Sequence, residues 1–483
     1  MKYIKLNTVY SLRNESTCSY IIRKNMYVNY DLNNYQRIYP IPPFLGYIFA
    51  HIGQMEYDLS IQTIGKTLNV DFNLLKHFLS KIIEQPSKSL LFLGEKVVFP
   101  DNLLVKSRLK DCSTYYSVHG FSPMNAYIIC RPHTPISVNF MVTERCNTNC
   151  IYCYAKRDTR QEMSTSEILK VLKELSNYAI VNLTLTGGDI FARKDWYEII
   201  SHSKSAGFGY LISTKTTLRK EDIIKLKQLG IHQLQFSLDT VIPSILREMI
   251  NADDGYYDRL KVMFHACTNL DIKVSLRTVL CGQNANIDSI RTLCDFVNTN
   301  NCISNWVITP AFYSENKRGY NHYAASNEML KKVFSYLQKR SLRIRPLFNK
   351  LNKDGYILQR TKNTTEFVEN NQICYANTYS MSILPTGDCT VCEMLYYNKD
   401  FILGNLKDMS VEEIWNSEKA LWLYSPRKEE LSRESACSFC KVFDKCKNGI
   451  AKRVCYVDVM KVHKHRDFPD PKCPQSQMCD YIL

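Results

Sequence analysis

The chain has 483 residues, 45% of them hydrophobic and 23% charged, with a formal net charge of +15 at pH 7. That length exceeds one ordinary core and points to roughly two to four domains. The start, MKYIKLN, is not a basic stretch leading into an apolar one, and nowhere do about 18 apolar residues run together, so no signal peptide or membrane span is expected. A soluble, cytoplasmic protein is the expectation. The 19 cysteines are odd in number and cluster late, which in a long chain fits metal binding in a reducing compartment better than a disulfide framework. The positive charge favours anionic partners, but it is spread along the chain rather than gathered in a block, so nucleic acid is not the expected one.

Residues 1–115 alternate short strand-like runs with two helical ones. One helix covers 63–68, and after Asp71, an N-cap residue, Phe72, Leu75, Leu79 and Ile82 recur at helical spacing. Residues 90–99, broken at Gly94-Glu95, read as a hairpin. Helix, turn, helix and hairpin make a winged helix. From 130 to 315 strands and helices alternate, which argues for a parallel sheet with crossover helices. The expected strands are 137–142, 181–186, 209–213, 233–238, 273–279 and 306–309, an α/β fold of six units, or a partial (β/α)6 barrel. Residues 316–370 form a connecting region with a helix over 327–338, and 371–483 is a cysteine-rich domain that metal rather than a large core would hold together.

Cys146-Asn-Thr-Asn-Cys150-Ile-Tyr-Cys153 places three thiols on one loop directly after the first barrel strand, at the end of a barrel where chemistry collects. Three soft ligands with no fourth nearby suit an iron–sulfur cluster with one open iron better than a closed zinc site. The loop C-x3-C-x2-C, with the aromatic Tyr152 before its last cysteine, resembles the signature of the radical S-adenosylmethionine (SAM) superfamily. The resemblance continues in Gly187-Gly188-Asp189 after the second strand, although that family more often has Glu and then Pro where this chain has Asp189 and Ile190. It implies that Gly187 and Gly188 let a ligand approach the backbone and that Asp189 receives the amino group of SAM. It further implies that Ser213 and Lys215 after the third strand and Ser237 and Asp239 after the fourth contact the cofactor, with Arg277 on the fifth strand meeting its carboxylate. The implied chemistry is one-electron cleavage of SAM to a 5′-deoxyadenosyl radical that removes hydrogen from a substrate carbon, in an oxygen-sensitive enzyme.

Past the barrel come Cys374, Gly387 with Cys392, then Cys437-x2-Cys440-x5-Cys446, Cys455 and Cys473. This order resembles the SPASM domain, the auxiliary-cluster extension of radical enzymes that modify peptides. It implies one 4Fe-4S cluster on Cys437, Cys440, Cys446 and Cys473, and a second on Cys374, Cys392 and Cys455. Cys446 and Cys455 stand farther apart than in that family, and no cysteine shortly precedes Cys374, so either one iron is open or Cys389 serves. Cys18, Cys112, Cys130, Cys267, Cys281, Cys294, Cys302 and Cys479 have no partner spacing and are expected to be small buried hydrophobes.

The second helix of the first domain carries only Lys76, His77 and Lys81 toward a phosphate backbone, a thin set. A winged helix ahead of such an enzyme instead resembles the element that captures the leader of a ribosomally made precursor peptide, as an added strand on a sheet edge. The combined expectation is a peptide maturase that installs an intramolecular thioether or carbon–carbon crosslink, reduced by a one-electron donor such as flavodoxin or ferredoxin. The alternatives are a sulfatase-maturating type of enzyme that forms formylglycine, and a redox-sensing winged-helix regulator with no catalysis.

Overall fold

The computed structural model describes residues 2–24, 37–113, 115–155, 161–312, 320–349, 351, 360–371, 373–450 and 452–476; Cys479 lies outside them. The chain opens with strands β1 (Tyr3–Leu6), β2 (Tyr10–Asn14), β3 (Ser19–Arg23) and β4 (Ile38–Ile41). Helices Pro43–His51, Tyr57–Leu68 and Phe72–Ser80 follow, then β5 (Lys88–Phe92), β6 (Glu95–Phe99), β7 (Leu104–Ser107) and β8 (Tyr116–Ser117). Asp71 caps the third helix, its carboxylate accepting the Leu74 N–H at 2.9 Å, and Leu75, Phe78, Leu79 and Ile82 are buried beneath it. The β5–β6 hairpin turns through Leu93 and Gly94, both at positive φ, the geometry of a tight two-residue turn.

Helix, helix and hairpin thus follow in the expected order, but a third helix precedes them. Pro43–His51 is apolar on nearly every side, so it carries no amphipathic period, and it lies against the β2–β3 hairpin. A Cβ on Gly46 would stand 2.0 Å from the Ser19 hydroxyl, so only glycine admits that contact. The four-stranded sheet has the order β4-β3-β2-β8, so among the described residues β4 is an edge strand.

The barrel strands are β9 (Ser137–Met141), β10 (Asn182–Thr186), β11 (Gly209–Thr214), β12 (Gln233–Ser237), β13 (Lys273–Leu280) and β14 (Ile303–Pro310), all parallel and hydrogen-bonded in sequence order. Alternation along β12 sends Leu234 and Phe236 into the core under the helices and leaves Gln235 and Ser237 on the inner face. The same alternation puts polar side chains along the inside of the barrel mouth. A short β15 (Leu347–Phe348) continues the sheet beyond β14.

The tail is more than a metal-held appendage. β16 (Ser380–Ile383) pairs in parallel with β9, and β17 (Asp388–Thr390) and β18 (Ile402–Asn405) extend the sheet antiparallel, giving one ten-stranded sheet. Trp415, fully buried, donates its indole N–H to Pro132 O at 2.8 Å, and Arg131 stacks 3.6 Å above that ring. The expectation that metal alone organises residues 371–483 is therefore corrected: their buried apolar residues are continuous with the barrel core. Among the described residues no helix is long and apolar enough to cross a membrane.

Candidate active site and metal centres

The cysteine loop leaves β9 and is pinned on both flanks by backbone hydrogen bonds. Gly188 N–H donates to Thr143 O and Asp189 N–H to Arg145 O, each at 2.7 Å, while Asn149 and Ile151 N–H bond the last carbonyls of helix Pro243–Ile250 at 2.9 Å. Gly187 sits at φ +151°, and a Cβ there would stand 2.2 Å from Thr143 O; a Cβ on Gly188 would stand 2.1 Å from Arg145 O. The two glycines therefore let the cysteine loop lie directly on the end of β10.

A cavity of about 340 Å³ opens over this loop and is lined by Cys146, Cys150 and Cys153 together. The Thr148 hydroxyl lies between two of them, 3.4 Å from Cys146 Sγ and 3.6 Å from Cys150 Sγ. Burial raises the Cys150 thiol above its ordinary range, and the Lys215 ammonium opposes that shift. Three thiols converging on one cavity are a donor set that fits a cluster with an open metal position. Tyr152, Gly187, Gly188, Ser213, Lys215 and Ser237 line the same cavity.

Asp189, Asp239 and Arg277 stand behind that wall. Asp189 is buried, and its carboxylate accepts from the Thr214 hydroxyl (2.7 Å), the Thr216 hydroxyl (3.0 Å) and the N–H groups of Phe191, Lys215 and Thr216. These bonds tie the ends of β10 and β11 together. Asp239, also buried, accepts the Tyr152 hydroxyl at 2.5 Å, the Lys215 ammonium at 2.6 Å and Val279 N–H at 2.9 Å. Lys215 Nζ in turn donates to the Tyr152 hydroxyl at 2.7 Å. Burial works against the charged Lys215, but Asp239 outweighs it and the net shift is upward. Arg277 donates to Gln235 Oε1 at 3.1 Å, and Gln235 Nε2 donates to the Ser213 hydroxyl at 2.6 Å. Gln235 lines the cavity and was not among the expected residues, although it lies on the same strand face as Ser237.

In the tail, Cys437, Cys440, Cys446 and Cys473 line one pocket together with Lys447 and Asp470. Lys447 is buried and donates to the carbonyls of Asp467 and Phe468 at 3.0 and 3.1 Å. Burial, and after it Glu393, pushes the Cys392 thiol well up. Cys374 N–H bonds Lys452 O at 2.8 Å, and Cys455 N–H bonds Asp470 Oδ2 at 2.9 Å. Cys389 points elsewhere, fully buried in the core with Asp388 and Glu174 as its charged neighbours. Lys447 and Lys452 carry no sequence signal, because exposed and buried lysines look alike in a string of residues.

The description "Radical SAM superfamily" matches residues 140–297 and "Iron-sulfur cluster-binding domain" (SPASM) matches residues 374–447. Residues 140–297 thus carry a radical SAM domain and residues 374–447 a SPASM domain. Both domains imply 4Fe-4S clusters, and the first implies SAM. An Fe-coproporphyrin III synthase of Methanosarcina barkeri is 29% identical over 147 residues, 30% of this chain and 36% of that protein. The mycofactocin maturase MftC of Mycobacterium tuberculosis is 21% identical over 347 residues, 71% of this chain and 83% of MftC. The chain spans less than half the length of the first curated relatives it matches, 36% and 42% in two of them. The radical SAM–SPASM chain also shares its fold with Streptococcus suis SuiB bound to precursor peptide SuiA, at TM-score 0.65 and 14% identity, over 98% of this chain and 100% of that one.

Proposed function

We propose that this radical SAM–SPASM protein is a peptide maturase that acts on a ribosomally made precursor and closes an intramolecular thioether or carbon–carbon bond. The observation that carries the reading is the convergence of Cys146, Cys150 and Cys153 on one cavity in a chain that also presents a winged-helix domain with an end strand. The similarity to a mycofactocin maturase, and a fold shared with an enzyme captured on its precursor peptide, agree with it.

The three thiolates would hold the cluster, and Cys437, Cys440, Cys446 and Cys473 would hold one auxiliary cluster, with Cys374, Cys392 and Cys455 holding another. When bound, these groups supply one-electron chemistry toward the sulfonium of SAM and toward the substrate. The chain's own residues do the positioning. Gly187 and Gly188 keep the cysteine loop seated, the Ser213 and Ser237 hydroxyls and the Lys215 region offer polar contacts for SAM on the cavity wall, and the Asp239–Lys215–Tyr152 group fixes the aromatic ring next to Cys153. Asp189 and Arg277 act from behind, through Thr214 and Gln235.

A leader segment would add to the free edge of β4, where backbone hydrogen bonds give affinity and flanking pockets give selectivity. In a reducing compartment a flavodoxin or ferredoxin would supply the electrons. The test is anaerobic reconstitution with dithionite and SAM, together with a candidate precursor peptide taken from any short reading frame found next to the gene. The expected result is 5′-deoxyadenosine together with a peptide lighter by two hydrogens. Reconstituted protein that carries iron but forms no 5′-deoxyadenosine would overturn the enzyme reading in favour of a regulator, and 5′-deoxyadenosine with an unmodified peptide would overturn the substrate assignment.

A further inference from the structure

Two cysteines with no metal-site spacing come together where the first domain meets the barrel. Cys18 lies at the β2–β3 turn and is fully buried; Cys130 lies in the segment that leads into β9 and is partly exposed. Their sulfurs are 3.6 Å apart, although 112 positions separate them in sequence. The approach is held from both sides. Ile128 N–H donates to Thr17 O at 2.9 Å and the Thr17 hydroxyl to Ile128 O at 2.8 Å, while the Tyr20 hydroxyl donates to Cys130 O.

We propose that Cys18 and Cys130 form a reversible disulfide that staples the first domain to the barrel. A disulfide needs the sulfurs at about 2.05 Å, so they must close by roughly 1.5 Å, a side-chain adjustment rather than a backbone rearrangement. The two thiols are chemically unequal. Cys130 lines an open groove together with Arg131, His133 and Tyr424, whereas Cys18 has no exposed surface. Cys130 is thus the reagent-accessible thiol and Cys18 the resolving one. Hydrogen bonding to Cys18 favours the Cys130 thiolate against the opposing effect of burial.

The oxidant is a low-molecular-weight disulfide such as glutathione disulfide. The Cys130 thiolate attacks one of its sulfurs, forming a mixed disulfide and releasing one glutathione thiolate. Cys18 loses its proton and attacks the Cys130 sulfur, closing the bridge and releasing the second glutathione. Two protein thiols are oxidised and one small disulfide is reduced to two thiols. The bridge closes a loop that contains the three helices and the wing, so the oxidised first domain has fewer unfolded conformations available to it.

The test uses the iron-loaded protein held anaerobically, treated with glutathione disulfide, quenched with N-ethylmaleimide and mapped by non-reducing peptide mass spectrometry. The expected result is a peptide pair joining Cys18 to Cys130 that disappears on reduction, from protein whose iron content is unchanged. In Cys18→Ala, Cys130 should accumulate as a glutathione adduct. The exposed Cys112 is the control for reagent activity. The proposal is overturned if Cys112 carries glutathione while Cys18 and Cys130 are both recovered alkylated, or if the linked peptide appears only in protein that has lost iron.

Discussion

Replacing Gly188 by alanine tests how closely the cysteine loop must sit on β10. The added Cβ would lie 2.1 Å from Arg145 O and 2.6 Å from both Arg145 C and Glu144 O, all of them backbone atoms with no flexible end to swing away. A relaxed carbon–oxygen contact is about 3.3 Å, so the loop and the strand end must part by roughly 1.2 Å. The 2.7 Å bonds from Gly188 N–H and Asp189 N–H do not survive such a parting. Their loss costs about 1 kcal/mol each, and overpacking adds about 1–3 kcal/mol, for a local cost of about 3–5 kcal/mol. A shift of about 1 Å between reacting groups lowers rates by about 100-fold, and 5′-deoxyadenosine formation should fall by about that factor. The assay pairs that rate with iron content, using the triple variant C146A/C150A/C153A to define the iron held elsewhere. A Gly188→Ala protein with unchanged iron and unchanged SAM cleavage would refute the argument that these glycines exist to seat the loop.

Three further outcomes follow from individual contacts. Lys215→Met leaves the Asp239 carboxylate buried without its cation and should cost about 3–5 kcal/mol in urea unfolding, with much of the loss recovered in Lys215→Met/Asp239→Asn; an unchanged midpoint would contradict the buried pair. Cys389→Ser should retain the full iron complement on reconstitution and Cys392→Ser should not, because Cys389 is fully buried in the core beside Asp388 whereas Cys392 is one of the cysteines assigned to the second auxiliary cluster. Burial and then Cys302 raise the Cys267 thiol from 9.0 to about 12, so above pH 9 the unfolded chain releases a proton that the folded one keeps, and stability falls as pH rises. At pH 10 that loss is about 1.4 kcal/mol, so the fall in urea stability between pH 8 and pH 10 should be smaller by about that amount in Cys267→Ala than in the wild type, where other buried thiols add their own share.

The barrel strands were legible because six apolar segments recur between amphipathic helices, and because β propensity and helical period agree in that region. The cysteine spacing also marks the loop whose three thiols line the cavity. What stayed hidden depends on contacts distant in sequence. Helix Pro43–His51 has no polar face to mark its period, since it is enclosed by the β2–β3 hairpin and the neighbouring helix. Asp189 and Asp239 read as cofactor contacts because strand-end carboxylates usually face solvent or ligand. That Thr214, Thr216 and Lys215, at the end of β11, also hydrogen-bond these two carboxylates is a contact that no local spacing announces. The Cys18–Cys130 approach could not be seen at all, because nothing in the spacing of two solitary cysteines says that a turn and a linker meet.

The parallel pairing of β16 with β9 has a consequence for how the two metal regions relate. Had the SPASM segment been tethered by a loose linker, its cysteines could have lain anywhere over the barrel mouth. The register Ser380↔Ser137 through Ile383↔Phe140 instead fixes the start of the tail against the strand that delivers the cysteine loop. Glu393, next to Cys392, then reaches back to that strand and accepts the Asn139 side-chain amide at 3.0 Å. Tyr154, immediately after Cys153, has its hydroxyl pushed well up by burial and by Glu393, with Cys153 and Cys392 both among the groups that add to the shift. The parallel register and the Glu393–Asn139 bond thus hold the start of the tail at a fixed place beside the strand that leads into the cysteine loop, a placement set by the sheet and not by a linker.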